Sequence, residues 1–134
     1  MSAYRTVALD DVPARHDDDT GADWLPLRAT LGVRAFGVNA WRAAQAGVEV
    51  IERHSERNAD SQNHEELYVA VRGRARFEVA GETVDAPAGS AVFVHDPAAE
   101  RRAVAEEDGT LVLSVGAEPG AAFEVSGWER RELT

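Results

Sequence analysis

Apolar and polar positions alternate along this chain in short runs that read as β-strands. "YRTVAL" (4–9) alternates, "VRAFGVNAW" (33–41) is rich in aromatic and branched residues, and "GVEVIERH" (47–54) sets Val48 and Val50 around Glu49. The same texture continues in "ELYVAV" (66–71), "ARFEVAGETV" (75–84) with Gly81 turning the chain, "SAVFV" (90–94), "RAVAE" (102–106) and "TLVLSV" (110–115). Glycine or proline falls between these runs at intervals of roughly 8–12 residues, the rhythm of an antiparallel sandwich or barrel. Helical periodicity is confined to the tail, "GWERRELT" (127–134), with "AWRAAQA" (40–46) ambiguous. The expected class is all-β.

Two polar segments interrupt the strands. Residues 10–23, "DDVPARHDDDTGAD", predict a solvated loop or extended arm, with His16 among three aspartates. Residues 55–63, "SERNADSQN", have no apolar period and predict a loop. At 134 residues the chain suits one domain, divided into an arm and loop (1–32), a barrel core (33–116) and a tail (117–134). No start resembling a signal peptide and no apolar run of membrane-spanning length is present. The absence of cysteine excludes disulfides, thiolate metal sites and cysteine nucleophiles. A net charge of −10 without a basic cluster disfavours nucleic acid and anionic membranes as partners. A soluble cytoplasmic protein is expected.

Residues 45–115 resemble the cupin superfamily, small double-stranded β-helix (jelly-roll) barrels. Glu66 stands before Gly73 at the spacing of the first cupin motif, Gly89 opens the second, and "ELYVAVRGRARFEVAGETVDAPAGSAVFV" looks like a cupin core. The resemblance implies an all-β barrel with an N-terminal strand-containing arm, and a homodimer, often formed by exchange of edge strands; the strand at 4–9 is the candidate for exchange. Of the four metal ligands usual in the family, His54 and Glu66 are in register. Glu56 stands at the second histidine and Glu100 at the metal-binding histidine of the second motif, while His95 and Pro97 occupy its proline and glycine positions.

Strand parity puts His64, Glu66 and Tyr68 on one face and Glu65, Leu67 and Val69 on the other. If the strands of His54 and Glu66 are neighbours, His54, Glu56, His64 and Glu66 converge on the barrel mouth. The expected metal set is His54, His64 and Glu66, two imidazoles and a carboxylate suited to Fe, Mn, Ni or Zn. Glu56, Glu100, Tyr68 and His95 are additional candidates, His95 either facing the cavity or capping its strand. Arg101 and Arg102, with Arg72, Arg74 and Arg76, read either as an anion-binding face or as a solvated sheet face with cross-strand ion pairs.

Three functions follow. The first is a metal-dependent oxygenase or isomerase acting on a small molecule; the second, a metal-free small-molecule binding or sensing barrel; the third, a structural dimer module without catalysis. No motif supports serine hydrolase or nucleotide chemistry.

Overall fold

The computed structural model describes residues 2–58 and 63–133. Its strands form two antiparallel sheets that face each other. The larger has the order β1 (Arg15–His16), β2 (Asp23–Leu25), β3 (Gly37–Ala43), β10 (Thr110–Ala117), β5 (Glu65–Arg72), β8 (Ala91–Val94). The smaller has the order β4 (Glu49–His54), β9 (Arg101–Ala105), β6 (Arg74–Val79), β7 (Glu82–Pro87). Two short helices complete the described chain, α1 (Leu27–Leu31) and α2 (Gly127–Leu133). The all-β expectation holds, and the tail is helical as its pattern implied.

Alternation decides what each sheet buries. On β5, Glu66, Tyr68 and Ala70 face inward; on β6 and β9, Ala75, Phe77, Arg101, Ala103 and Ala105 do. Tyr68 and Phe77 meet across the sandwich with ring centroids 5.3 Å apart, at the centre of the inner core. On the opposite face of β6, Arg74, Arg76 and Glu78 make ion pairs with Asp85 (2.6 Å), Glu106 (3.0 Å) and Arg53 (3.1 Å). This is the solvated, ion-paired sheet face that parity allowed. Arg72 belongs to the other sheet and pairs with Asp10.

A second apolar layer lies outside the larger sheet. Val12, Leu25 and Leu27 from the arm cover Val38, Ala40 and Leu111, with Val7 and Leu9 packed beside them. Residues 4–8 form no strand, contrary to the expectation for 4–9, and Leu9–Asp11 is a single 3-10 turn. Their apolar residues are satisfied by packing on the sheet's outer face, so alternation here marks a covering segment. The arm's strands are β1 and β2 instead, and β2 adds to β3 with Trp24 opposite Trp41.

Gly73 links the two sheets between β5 and β6. Its φ is +72°, and a Cβ there would come within 2.4 Å of Thr110 Oγ1 and 2.8 Å of the Thr110 Cα. Backbone conformation and space both demand glycine. Gly73→Ala is expected to cost about 2–3 kcal/mol of stability or more. Urea denaturation measures this, and an unchanged midpoint would contradict the close approach.

Candidate functional site

The open end of the barrel encloses a cavity of about 930 Å³. The register of the larger sheet builds one wall in rungs. Trp24, Trp41 and Val112 form one rung, Asn39, Ser114 and Tyr68 the next, and Gly37, Gly116 and Glu66 the last. The two glycines make room: a Cβ on Gly116 would lie 3.1 Å from Glu66 Cγ, and one on Gly37 would lie 3.4 Å from the Phe123 ring. The other wall comes from β4 and the segment after it, which carry Glu49, Glu52, His54 and Glu56. From the tail, α2 delivers Trp128 onto Trp24 and Trp41, with centroids 5.0 and 5.9 Å away. Glu129 anchors that helix by an ion pair with Arg28 and by accepting from Asn39 Nδ2 at 3.4 Å.

The polar centre of the site joins both sheets. Arg101, fully buried on β9, donates to Glu66 Oε1 at 2.8 Å, to the Ala99 carbonyl at 2.9 Å and to the Asp96 carbonyl at 3.2 Å. The same Glu66 oxygen accepts the Tyr68 hydroxyl. His54 Nε2 lies 3.4 Å from Glu66 Oε1 and 3.6 Å from Glu56 Oε2. The other nitrogen of His54, Nδ1, is 2.7 Å from the Glu52 carbonyl and donates to it, since a carbonyl only accepts.

Environment sets the charge of each group. Burial works against ionisation of Glu66, yet hydrogen bonding and attraction from His54, with Tyr68 adding a bond, hold its carboxyl well below the ordinary range. Burial pulls the His54 proton affinity down, but the Glu66 hydrogen bond and charge, the Glu52 carbonyl and Glu56 together raise it. His64 moves the other way: burial lowers it, and the charges of Glu66 and Glu118 offset only part of that. Burial and the neighbouring Glu66 charge raise Tyr68, so its phenol stays protonated.

The expected site residues therefore separate. His54, Glu56 and Glu66 come together, with one potential ligand atom from each within 4.8 Å of the others. His64 lines the same cavity, 8% exposed, but is outside that group and packs on Phe123 at 5.7 Å. Asn63, with φ +63°, ties the base of the intervening loop through its amide to the Glu56 carbonyl at 2.9 Å. Residues 59–62 of the expected 55–63 loop lie outside the described residues. Tyr68 faces inward as parity required. His95 continues the outward row of Ala91 and Phe93 and is exposed, and Glu100 is exposed outside the cavity.

The inward position beside Glu100 is Arg101. In "RRAVA" the valine suggests that Arg102 and Val104 share the buried face, whereas the small residues Ala103 and Ala105 leave the volume that Arg101 uses. Trp24, Trp41 and Trp128 also line the cavity.

Solved structures with the same chain path include a cupin protein from Bacteroides fragilis, with 19% identity, 92% of each chain covered and a TM-score of 0.66. A sugar phosphate isomerase from a cupin superfamily, from Silicibacter pomeroyi, has 16% identity over 85% of this chain and 76% of its own, with a TM-score of 0.68. A predicted oxalate decarboxylase from Thermotoga maritima has 15% identity, 85% and 99% coverage and a TM-score of 0.65. The fold is that of the cupin superfamily. No family sequence model and no curated protein sequence matches the chain. Among the described residues, no helix is long and apolar enough to cross a membrane.

In this site the two histidines are set apart by their surroundings. His54 is expected to titrate above 6.5 and His64 below it, with Glu66→Gln lowering His54. The linkage has opposite signs at the two ends of the scale. His54's stabilisation is complete below 6.5 and lost as pH rises through its folded value. That of Glu66 is complete above 4.5 and lost as pH falls toward its depressed value. Imidazole NMR titration reads both histidines directly; a His54 value at or below 6.5 would refute the arrangement.

Proposed function

We propose that the chain is a small-molecule-binding cupin whose cavity works as an acid–base site without a metal ion. The carrying observation is the buried Arg101–Glu66 ion pair at 2.8 Å. Glu66 already has two cationic neighbours, Arg101 and His54. A divalent cation among them would leave the cluster positive and would compete with a guanidinium fixed on the same carboxylate oxygen. Excess charge of that kind is costly out of water. In addition, no buried side-chain polar atom among the described residues lacks a hydrogen-bond partner. The residues present do not fit a resident divalent ion as they stand.

In this reading the His54 imidazolium, held by the Glu52 carbonyl, is the group that can give a proton to a ligand and take one back. Glu66 and Arg101 position it. Proton transfer of this type suits isomerisation, the activity named for the Silicibacter pomeroyi structure.

A second reading is a metal-dependent oxygenase or isomerase. It is favoured by the convergence of His54, Glu56 and Glu66 and by the anchoring of His54 Nδ1, which leaves Nε2 toward the carboxylates. Those three residues would be the ligands of the Fe, Mn, Ni or Zn ion, with Arg101 displaced from the Glu66 oxygen. The discriminating experiment is elemental analysis of protein made without a histidine tag in cultures supplemented with each metal. We expect far less than one ion per chain; a stoichiometric ion lost in His54→Ala would establish the second reading.

The likeness to cupins also supports a homodimer. The outer face of β5 and β8 is a candidate contact, because Leu67, Val71 and Phe93 are 36, 39 and 52% exposed there, with Phe93 paired to Leu67 across the strands. The segment 4–9 packs on its own chain, so strand exchange through it has no support in the fold. Light scattering is expected to give a dimer that Phe93→Glu weakens about tenfold or more, and a monodisperse wild-type monomer would refute it.

A further inference from the structure

One wall of the cavity is aromatic. All three tryptophans of the protein meet there: Trp24 stacks on Trp41 at 6.2 Å, and Trp128 closes the triangle at 5.0 and 5.9 Å. Two of the indole N–H groups are engaged by protein acceptors, Trp24 by Asn39 Oδ1 at 2.9 Å and Trp41 by Ser114 Oγ at 3.4 Å. What those two indoles leave to the cavity is π-system and ring edge. With about 930 Å³ available, the space suits an organic molecule far larger than a bare ion.

The charges around the same space are one-sided once the internal pairs are removed. Glu49 is matched by Arg102 at 2.6 Å, Asp23 by Arg42 at 3.3 Å, Glu129 by Arg28 and Glu66 by Arg101. Asp17, Asp19 and Glu52 also line the cavity, and among the described residues none of them has an ion-pair partner. Arg15 is the sole arginine on the lining, and it is turned to the Glu132 carbonyl. A tryptophan wall under unmatched carboxylates attracts positive charge by two independent means, the ring quadrupole and direct Coulomb attraction.

We infer that the ligand of this cavity carries a permanent positive charge, a substituted ammonium group seated against the Trp24–Trp41–Trp128 wall, an inference that rests on the reading of the cavity as a small-molecule site. The carboxylates at the mouth draw the cation in, and the tryptophans select a charged alkyl head over a hydrated metal or an anion. The rest of the ligand extends toward His54, whose proton is the reactive element of the site.

Choline tests this against its neutral isostere 3,3-dimethylbutan-1-ol, in which carbon replaces the ammonium nitrogen, and against the anion 3,3-dimethylbutanoate. Binding to the full chain is followed by calorimetry and by tryptophan fluorescence, which reports only from this wall. Choline is expected to bind about tenfold tighter than the isostere or better, with the anion weakest. Trp128→Leu should remove most of that preference. Glu52→Gln, a change on an exposed side chain that leaves the core intact, should weaken choline alone. Equal or tighter binding of the neutral alcohol or the anion would overturn the charge inference while leaving the cavity a small-molecule site. No binding by any of the three at millimolar concentration would overturn both.

Discussion

The bond between Arg101 and Glu66 ties the two sheets of this barrel together at their polar centre. One partner comes from β9 and the other from β5. Removing Arg101 would leave Glu66 with His54 as its remaining cation, while removing Glu66 would leave a fully buried guanidinium without its ion pair, a loss that generally costs about 3–5 kcal/mol. Around this pair the remaining geometry falls into place. Tyr68 is oriented by the same carboxylate oxygen, His54 is held between that carboxylate and Glu56, and the loop before β9 is drawn in through the carbonyls of Asp96 and Ala99.

The pair also determines what kind of site this is. A carboxylate that in other settings would be free to ligate is here engaged by a group that never loses its charge. The imidazole beside it becomes a proton carrier with raised affinity, while the neighbouring His64, lacking such a partner, is driven toward neutrality by burial. Two histidines within one cavity thus shift in opposite directions, because His54 has Glu66 and Glu56 within ion-pair reach, whereas for His64 the charges of Glu66 and Glu118 offset burial only in part.

Much of the fold could be read from the chain because alternation and turn glycines act locally. The strands from "GVEVIERH" to "TLVLSV" and the helical tail are where their patterns put them. The segment 4–9 is different: its apolar residues serve a face made by β3 and β10, distant in sequence, so no local pattern separates a covering segment from a strand. The site was legible only in part for the same reason. His54, Glu56, Glu66 and Tyr68 follow from parity and register. Arg101 does not, since its burial depends on the space left by Ala103 and Ala105 and on a carboxylate from the opposite sheet. The tryptophan wall joins residues 24, 41 and 128, and only the assembled topology brings those positions together.

The last of those residues has a consequence for how the molecule keeps its site. The sheet strands are complete at Ala117, whereas the indole that closes the cavity sits on α2, beyond the last strand. A domain folds as a unit, so α2 and the strands beneath it gain their order together. Opening of that short helix would uncover Trp24 and Trp41 and take one wall from the cavity, so the terminal turns govern whether the site is whole.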